Sequence, residues 1–507
     1  MFIKIMSAHL AGINATDVAV EVDIATFGMP SFSVVGLAEG ALRESKERVR
    51  SALRNLDYNI FARPITVNLA PADIKKEGSH FDLPMAVGLL AAMQPKDFDV
   101  ADTLFLGELS LDGALRGVSG VLCICSWAAE LGIKRIVLPM ENADEAALVP
   151  NIEIYPFDHL SAVIGFLKGE LPATPYKAEQ DYFERSFADY DMDFAEVKGQ
   201  HTARRAAEIA AAGLHNILMM GSPGSGKTMI ARRIPSILPP MSLNEALLTT
   251  KIHSIAGLLR NKGNLIKERP YISPHHTASD VAIIGGGAKA MPGHVSIATN
   301  GVLFLDEMLE FNRSVLEVLR QPMEDGVVTI ARAGRTVTYP ANFMLVAASN
   351  PCPCGYYGDA RKRCTCAPHA VERYRARLSG PLLDRIDLQV VMTSVDVTDL
   401  ENQQAGESSA TIRARVMLAH AVQAERFKDL PIAFNSQMNE RMLAELVLLE
   451  DAARKLAGAS VAKFALSARA YNKILKLSRT IADLAGSKTV TAAHVAEALQ
   501  YRMLSGG

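Results

Sequence analysis

An α/β fold is predicted by three segments of this 507-residue chain. The apolar run Ile217-Leu218-Met219-Met220 leads directly into Gly221-Ser222-Pro223-Gly224-Ser225-Gly226-Lys227-Thr228, after which Met229 to Ile234 resume in helical style. A second apolar run, Val302 to Leu305, ends in Asp306 and Glu307. A third, Phe343 to Ala348, ends in Ser349 and Asn350. Short, near-continuous apolar runs are what parallel strands buried on both faces require.

The elements follow in order. Residues 1–168 read as a separate domain. Val18 to Ile24 alternate as a half-buried strand, and 37–56 carry Leu42, Val49 and Leu53 at helical spacing. Ile65 to Leu69 form a strand. A helix is expected over 82–93, capped by Asp82 with Pro84 in its first turn. Residues 104–109, a helix near 126–131 and a strand over 135–139 complete the block. Residues 169–200 hold Pro, the acids Asp181, Glu184, Asp189, Asp191 and Asp193, and the aromatics Tyr182, Phe183, Phe187 and Tyr190, which reads as a linker packed back on a neighbour. A helix over 203–212 opens a core domain assigned to 201–395. Residues 396–507 are assigned to a helical lid, with helices over 412–427, 439–456, 467–484 and 491–502, caps at Ser467 and Thr491, and a stop at Gly486.

The first segment fits G-x-x-x-x-G-K-[ST] in the strand–loop–helix context that gives the pattern its meaning. Gly221, Gly224 and Gly226 let backbone N–H groups turn toward phosphate oxygens, and the helix N-terminus adds partial positive charge. Lys227 would reach the β- and γ-phosphates of ATP, and the Thr228 hydroxyl would sit on Mg²⁺. Asp306 would hold the same ion through water, and Glu307 would polarise the attacking water as a general base. Alone, an Asp-Glu pair is usually a solvated strand end; with the glycine loop it gains weight. Asn350 would face the γ-phosphate, because ligands gather at the carboxyl ends of strands in such sheets.

The long stretch between Lys227 and Asp306 is read as holding an insertion, with His275-His276 and the mobile, backbone-exposing Gly285-Gly286-Gly287 followed by Lys289. Adjacent histidines rarely point at one ion, so a structural or DNA-facing role is favoured there over metal. Glu324-Asp325-Gly326 introduces a hairpin of 327–332 and 336–339 whose outer turn carries Arg332 and Arg335, set to track a phosphate backbone or simply to be solvated. Cys123 and Cys125 sit in an apolar run and read as buried small hydrophobes. Cys352, Cys354, Cys364 and Cys366 form two tight pairs that can close a tetrahedral Zn²⁺ site, although the spacing of common zinc ribbons is missing and free or redox-active thiols remain the alternative. Arg361-Lys362-Arg363, with Tyr356 and Tyr357, give this loop charge and stacking surface for DNA, or a solvated basic rim.

Hydrophobic residues make up 49% and charged residues 21%, which suits globular cores, and about two to four domains are expected from the length. The net charge of −2 gives no global basic signature, so any nucleic-acid contact must be local. The N-terminus lacks signal-peptide features and no run approaches about 18 apolar residues, so a soluble, cytoplasmic protein without a membrane partner is expected.

Leu382-Leu383-Asp384-Arg385-Ile386-Asp387-Leu388 resembles a segment of AAA+ motors of the magnesium-chelatase and MCM branch; the resemblance implies that Arg385 acts on the neighbouring subunit's nucleotide. Leu466-Ser467-Ala468-Arg469-Ala470 is similar to the second sensor, which makes Arg469 a γ-phosphate candidate. Gly107-Glu108-Leu109-Ser110-Leu111-Asp112-Gly113, Gly120 and residues 133–139 resemble the Lon-protease-like, S5-type α/β domain, and 44–50 resemble the DNA-repair ATPase RadA. A protease dyad needs Ser and Lys. His80, within Glu77-Gly78-Ser79-His80-Phe81-Asp82, occupies the Ser slot and Leu122 the Lys slot, so a non-proteolytic domain is implied; the adjacent Ser45 and Lys46 point to different helix faces and form no dyad of their own. With Glu310-Phe311-Asn312-Arg313-Ser314, residues 273–279 and Asn350-Pro351-Cys352-Pro353-Cys354-Gly355, the chain resembles the YifB/ComM family of magnesium-chelatase-like AAA+ ATPases throughout. That resemblance implies a homo-hexameric ring that hydrolyses ATP and acts on single-stranded or branched DNA as a helicase or branch-migration motor in recombination or DNA uptake. The rival classes are a protein-remodelling motor of the magnesium-chelatase type, an ATP-dependent protease and a scaffold that only binds ATP.

Overall fold

The computed structural model describes residues 1–36, 39–72, 76, 78–177, 190–259, 265–287, 290–332, 335–394, 406–464 and 466–502. Leu37, Glu77, Asp181, Tyr182, Phe183, Glu184, Phe187, Asp189, Lys289 and 396–405, named above, lie outside the described residues, as do the side chains of Leu42, Arg332 and Arg335. The chain divides into two compact units, residues 1–185 with 246–266, and residues 186–245 with 267–507. The stretch read as a linker is therefore shared: 169–177 go with the first unit and 190–200 with the second.

The first unit is built on β1 (Phe2–Ala11) and β2 (Asn14–Ile24), a long antiparallel hairpin turned at Gly12, whose φ is +66°. Beside β2 lies β4 (Pro64–Ala70), antiparallel, and then β3 (Ser31–Val35), parallel to β4. On the other side β5 (Thr103–Phe105), β6 (Arg135–Pro139) and β7 (Glu153–Phe157) add in parallel, giving seven strands in the order β3-β4-β2-β1-β5-β6-β7. Period-two alternation sends Ile5 and Phe105 into one core and Ala8 and Leu104 into another. The first core receives α1 (Glu39–Asn55) and α2 (Asp82–Met93); the second receives α3 (Val121–Glu130), with Cys125 buried in it. Leu247, from the segment 246–266, packs against that second core. The expected cap of α2 is corrected: Phe81 occupies the cap position, and Asp82 turns inward to side-chain partners.

In the second unit β8 (Ile217–Gly221), β9 (Tyr271–Ile272), β10 (Val302–Leu305), β11 (Met344–Ser349) and β12 (Leu388–Met392) form an all-parallel sheet in the order β9-β10-β11-β8-β12. Residues of β10 and β11 are buried along their whole length, as their unbroken apolar sequence requires. Flanking helices are α4 (His201–Gly213) and α5 (Lys227–Ile237). The C-terminal part is helical: α6 (Ser409–Arg426), α7 (Asp451–Phe464), α8 (Ala468–Leu484) and α9 (Ala492–Gln500). Its apolar faces join the sheet helices in one cluster holding Ile209, Ile474 and Val495. Ser467 caps α8 by accepting the Ala470 N–H at 3.2 Å. The single helix expected over 439–456 is instead two, Glu440–Leu446 and α7, because Leu449 leaves the helix to bridge Val490. The expected hairpin forms, with Val327–Arg332 paired antiparallel to Arg335–Pro340 from Val327 opposite Pro340 to Arg332 opposite Arg335.

Candidate functional site

β8 sits where the sheet order reverses, between β11 and β12, and the loop at its carboxyl end opens into a crevice there. The glycine loop turns with φ of +78° at Gly224 and +91° at Gly226. Backbone with φ in this range costs glycine nothing and other residues appreciably. A Cβ on Gly221 would meet the Met392 carbonyl at 2.4 Å, so β12 can approach only a glycine. Gln200 fixes the same corner, donating to the Ser225 carbonyl at 3.1 Å and the Thr393 carbonyl at 2.6 Å.

Lys227 starts α5 and folds its ammonium under the loop, donating to the Gly221 and Ser222 carbonyls at 2.7 and 2.9 Å. It also reaches Asn350 Oδ1 at 3.4 Å. Burial pulls its pKa down, opposed by the Asp306 and Glu307 carboxylates. The Thr228 hydroxyl donates to Asp306 Oδ2 at 3.0 Å, and the other oxygen of Asp306 accepts the Glu307 N–H at 3.0 Å. Four separately predicted residues, Lys227, Thr228, Asp306 and Asn350, thus meet at the ends of three strands. Glu307 is exposed and its φ is +50°, a left-handed conformation unusual for glutamate. Such strain concentrates where a side chain must be aimed.

Arg385 and Arg469 are not brought to this cluster. Arg385 pairs with Glu324 at 2.5 Å and donates to the Pro381 carbonyl at 2.6 Å. Arg469 is exposed on the first turn of α8. Two residues after Arg385 lies a member of a buried polar group that the sequence did not signal. Asp387 lies 2.6 Å from the Lys473 ammonium of α8 and 3.4 Å from His215 Nδ1. Burial pushes its carboxyl up, but Lys473 and His215 outweigh this and hold it well below the usual carboxylate range. Asn216 was also missed. It donates to the Asp387 carboxylate and the Arg385 carbonyl, and accepts the Leu345 N–H at 2.8 Å, so it ties β8 to β11 and β12.

The four cysteine sulfurs of the 352–366 loop lie within 4.8 Å of one another, and among the described residues no other group of three or more His, Cys, Asp or Glu is so placed. Sγ separations are 3.4 Å for Cys352–Cys354, 3.5 Å for Cys354–Cys364 and 3.7 Å for Cys352–Cys364. Ligands about 2.3 Å from a tetrahedral zinc stand about 3.8 Å apart, so the donor set fits that ion. Backbone N–H groups of Tyr357 and Cys354 point at Cys352 and Cys366 sulfurs at 3.3 and 3.4 Å, as outer partners of thiolates do. The Cys354 thiol is pulled down to about 5 by the backbone N–H groups of Tyr356 and Thr365. The His275 and His276 rings lie 4.2 Å apart, tilted by 33°, and His275 hydrogen-bonds Thr277.

The first unit has its own polar cluster. Asp82 accepts from Ser45, from Arg48 Nε at 2.6 Å and from the Leu109 N–H at 3.2 Å, while Ser79 donates to Glu108. Burial pushes the Asp82 carboxyl up, against the pull of Arg48 and Ser45. His80 is half-buried, its Nε2 lies 3.0 Å from the Ala8 carbonyl, and desolvation together with His9 pulls it down to about 4. Burial pushes the Cys123 thiol up to about 12, as an inert core cysteine. No helix among the described residues is long and apolar enough to cross a membrane.

A parallel sheet of this order, with a glycine loop after one strand and an Asp-Glu pair after another, defines a P-loop α/β protein. Three family models match it: magnesium chelatase subunit ChlI over residues 193–400, subunit ChlI of Mg-chelatase over 20–142, and the ChlI C-terminal part over 406–502. The chain is 42% identical over 499 residues to the competence protein ComM of Haemophilus influenzae, covering 97% of this chain and 96% of that protein. It is 41% identical over 495 residues to the uncharacterized protein YifB of Escherichia coli, covering 97% and 95%. To the magnesium-chelatase 67 kDa subunit of Heliobacterium mobile it is 26% identical over 200 residues, 34% of this chain and 30% of that one. The chain belongs to the YifB/ComM family of magnesium-chelatase-like AAA+ proteins.

Proposed function

We propose that this protein is an ATP-driven motor of the AAA+ type that acts on DNA as a homo-hexameric ring, with helicase or branch-migration activity. The convergence of Lys227, Thr228, Asp306 and Asn350 carries the ATP part of this reading. Backbone N–H groups of 221–228 cradle the phosphates, and Lys227 exchanges its loop carbonyls for β- and γ-phosphate oxygens. Thr228 and Asp306 are the residues that would hold Mg²⁺, and the ion would supply positive charge to offset that of the phosphates. Glu307 takes the proton of the attacking water, and Asn350 orients the γ-phosphate. Arg385, a planar and permanently charged donor, leaves Glu324 to serve the neighbouring subunit's nucleotide, and Arg469 closes over it from the lid.

In this reading 1–168 form a non-proteolytic Lon-protease-like domain, 169–200 a linker, 201–395 the motor core and 396–507 the lid. The four cysteines bind one Zn²⁺ per chain. The protein works in the cytoplasm. A DNA role is supported by the name of the Haemophilus influenzae relative, a competence protein. The test is the ATPase rate with no DNA, single strand, duplex and four-way junction at two salt concentrations. Stimulation greatest with branched DNA is expected, and a rate indifferent to every DNA would sink the DNA reading. The chelatase family models and the Heliobacterium match favour, as second reading, a protein-remodelling motor, which that indifferent rate would leave standing.

A further inference from the structure

Between the two cysteine pairs the chain folds back onto the glycine loop. Gly355 has a φ of +84°, and a Cβ there would stand 2.7 Å from Pro223 Cδ, so the two loops meet where only a glycine fits. Asp359 accepts the Ser222 hydroxyl and also the N–H groups of Arg361 at 2.8 Å and Lys362 at 3.0 Å. That turn presents two successive cations on the side of the glycine loop. The Lys362 ammonium lies 4.2 Å from the centre of the Tyr356 ring. Tyr356, Asp359, Arg361 and Lys362 line the same cavity of about 420 Å³ as Ser222 to Gly226. Arg363, next in sequence, does not line it. From sequence this basic stretch read as a DNA-facing tip or a solvated rim; its first two residues, Arg361 and Lys362, line the cavity beside the glycine loop.

The neck of the loop is the sulfur cluster itself. An ion bound there would fix both ends of 355–363 and so the distance of Arg361 and Lys362 from the glycine loop. We propose that the 352–366 loop is a metal-braced lid on the nucleotide pocket, and that Arg361 and Lys362 supply cationic contacts to nucleotide phosphates from within the same subunit. This rests on the ATP and zinc readings above. Guanidinium and ammonium groups suit phosphate oxygens, and in a partly enclosed cavity their hydrogen bonds are charge-assisted.

The experiment measures equilibrium binding of a fluorescent methylanthraniloyl-ATP to the full chain, together with its zinc content. Arg361→Ser combined with Lys362→Ser should weaken binding about tenfold, the factor that ~1.4 kcal/mol corresponds to, with zinc retained. Arg363→Ser should bind as the wild type does. Cys354→Ser combined with Cys366→Ser should lose the zinc and weaken binding to a similar degree. Unchanged affinity in the Arg361/Lys362 variant overturns the lid, and if that variant instead loses only stimulation by DNA, its cations belong to DNA. Unchanged affinity after loss of zinc overturns the brace alone. A wild-type chain that binds no probe removes the ATP reading itself, and the lid with it.

Discussion

The Asp82 cluster of the first unit and the Asp306–Glu307 pair of the second put their carboxylates to opposite uses. In the first unit Asp82 and Ser45 are buried at 0% and 2% exposure, and the carboxylate accepts from a serine, an arginine and a backbone amide. In the second unit Asp306 is half-buried with one hydroxyl partner, Glu307 is exposed, and Lys227 is satisfied by carbonyls of its own loop. A closed set of hydrogen bonds holds a structure together. An open set beside a cavity is waiting for a ligand to complete it. The contrast separates a site from a buried ion pair without reference to family, because buried charge must be compensated somewhere.

The largest expected effect tests the open side. Arg385→Ala should lower kcat about a thousandfold while nucleotide affinity stays within about twofold, since the arginine touches no part of its own subunit's cluster; equal loss of binding would contradict action on a neighbour. On the closed side, Asp82→Ala should cost about 3 kcal/mol of stability by stranding Arg48 and Ser45, with ATP turnover per folded molecule intact. A turnover defect at equal stability would make the first-unit cluster functional and break the comparison. Lys227→Ala should weaken nucleotide binding about a hundredfold, as expected for a lost charge-assisted contact, and leave the melting temperature of the ligand-free protein nearly unchanged.

The smallest effect is one of pH. His80 is pulled down to about 4 in the folded chain against an ordinary 6.5. Above that ordinary value both states are neutral and nothing is lost. As pH falls, the unfolded chain binds the proton first, so stability is lost between about 6.5 and 4, by about 2 kcal/mol at pH 5. His80→Gln should flatten the pH dependence of the first unit's melting; an unaltered slope would show that His80 does not carry it. His420, pulled down to about 4 chiefly by burial, would still give the second unit its own acid sensitivity.

The second unit was the more legible from sequence. The glycine loop, the strand before Asp306 and the hairpin each declare themselves within a few residues, because loop geometry and burial on both faces restrict local composition. The meeting of Lys227, Thr228, Asp306 and Asn350 follows from strand order, which their motifs did not specify. Other features depend on contacts distant in sequence. Phe2–Ala11 is a central strand of its sheet, yet its sequence was read only for targeting signals. Asp82 has the composition of a cap and is claimed by Ser45 and Arg48 instead. Asn216 and Gln200 carry no motif, and their value comes from bridging elements far apart in the chain. Glu307's left-handed backbone cannot be read from a glutamate. Arg361 and Lys362 had the right charge for two ligands, and only the turn at Asp359 separates the alternatives.

The segment 246–266 has a consequence for synthesis. It belongs to the first unit, yet the glycine loop precedes it in the chain. Glu145 accepts both the Leu122 N–H and the Ser254 hydroxyl, at 3.2 and 2.8 Å. A ribosome must therefore translate through the phosphate-binding loop before the front unit has all its residues. Domains usually mature on the nascent chain in N-to-C order; here the earlier unit cannot be finished until part of the later one has already left the exit tunnel.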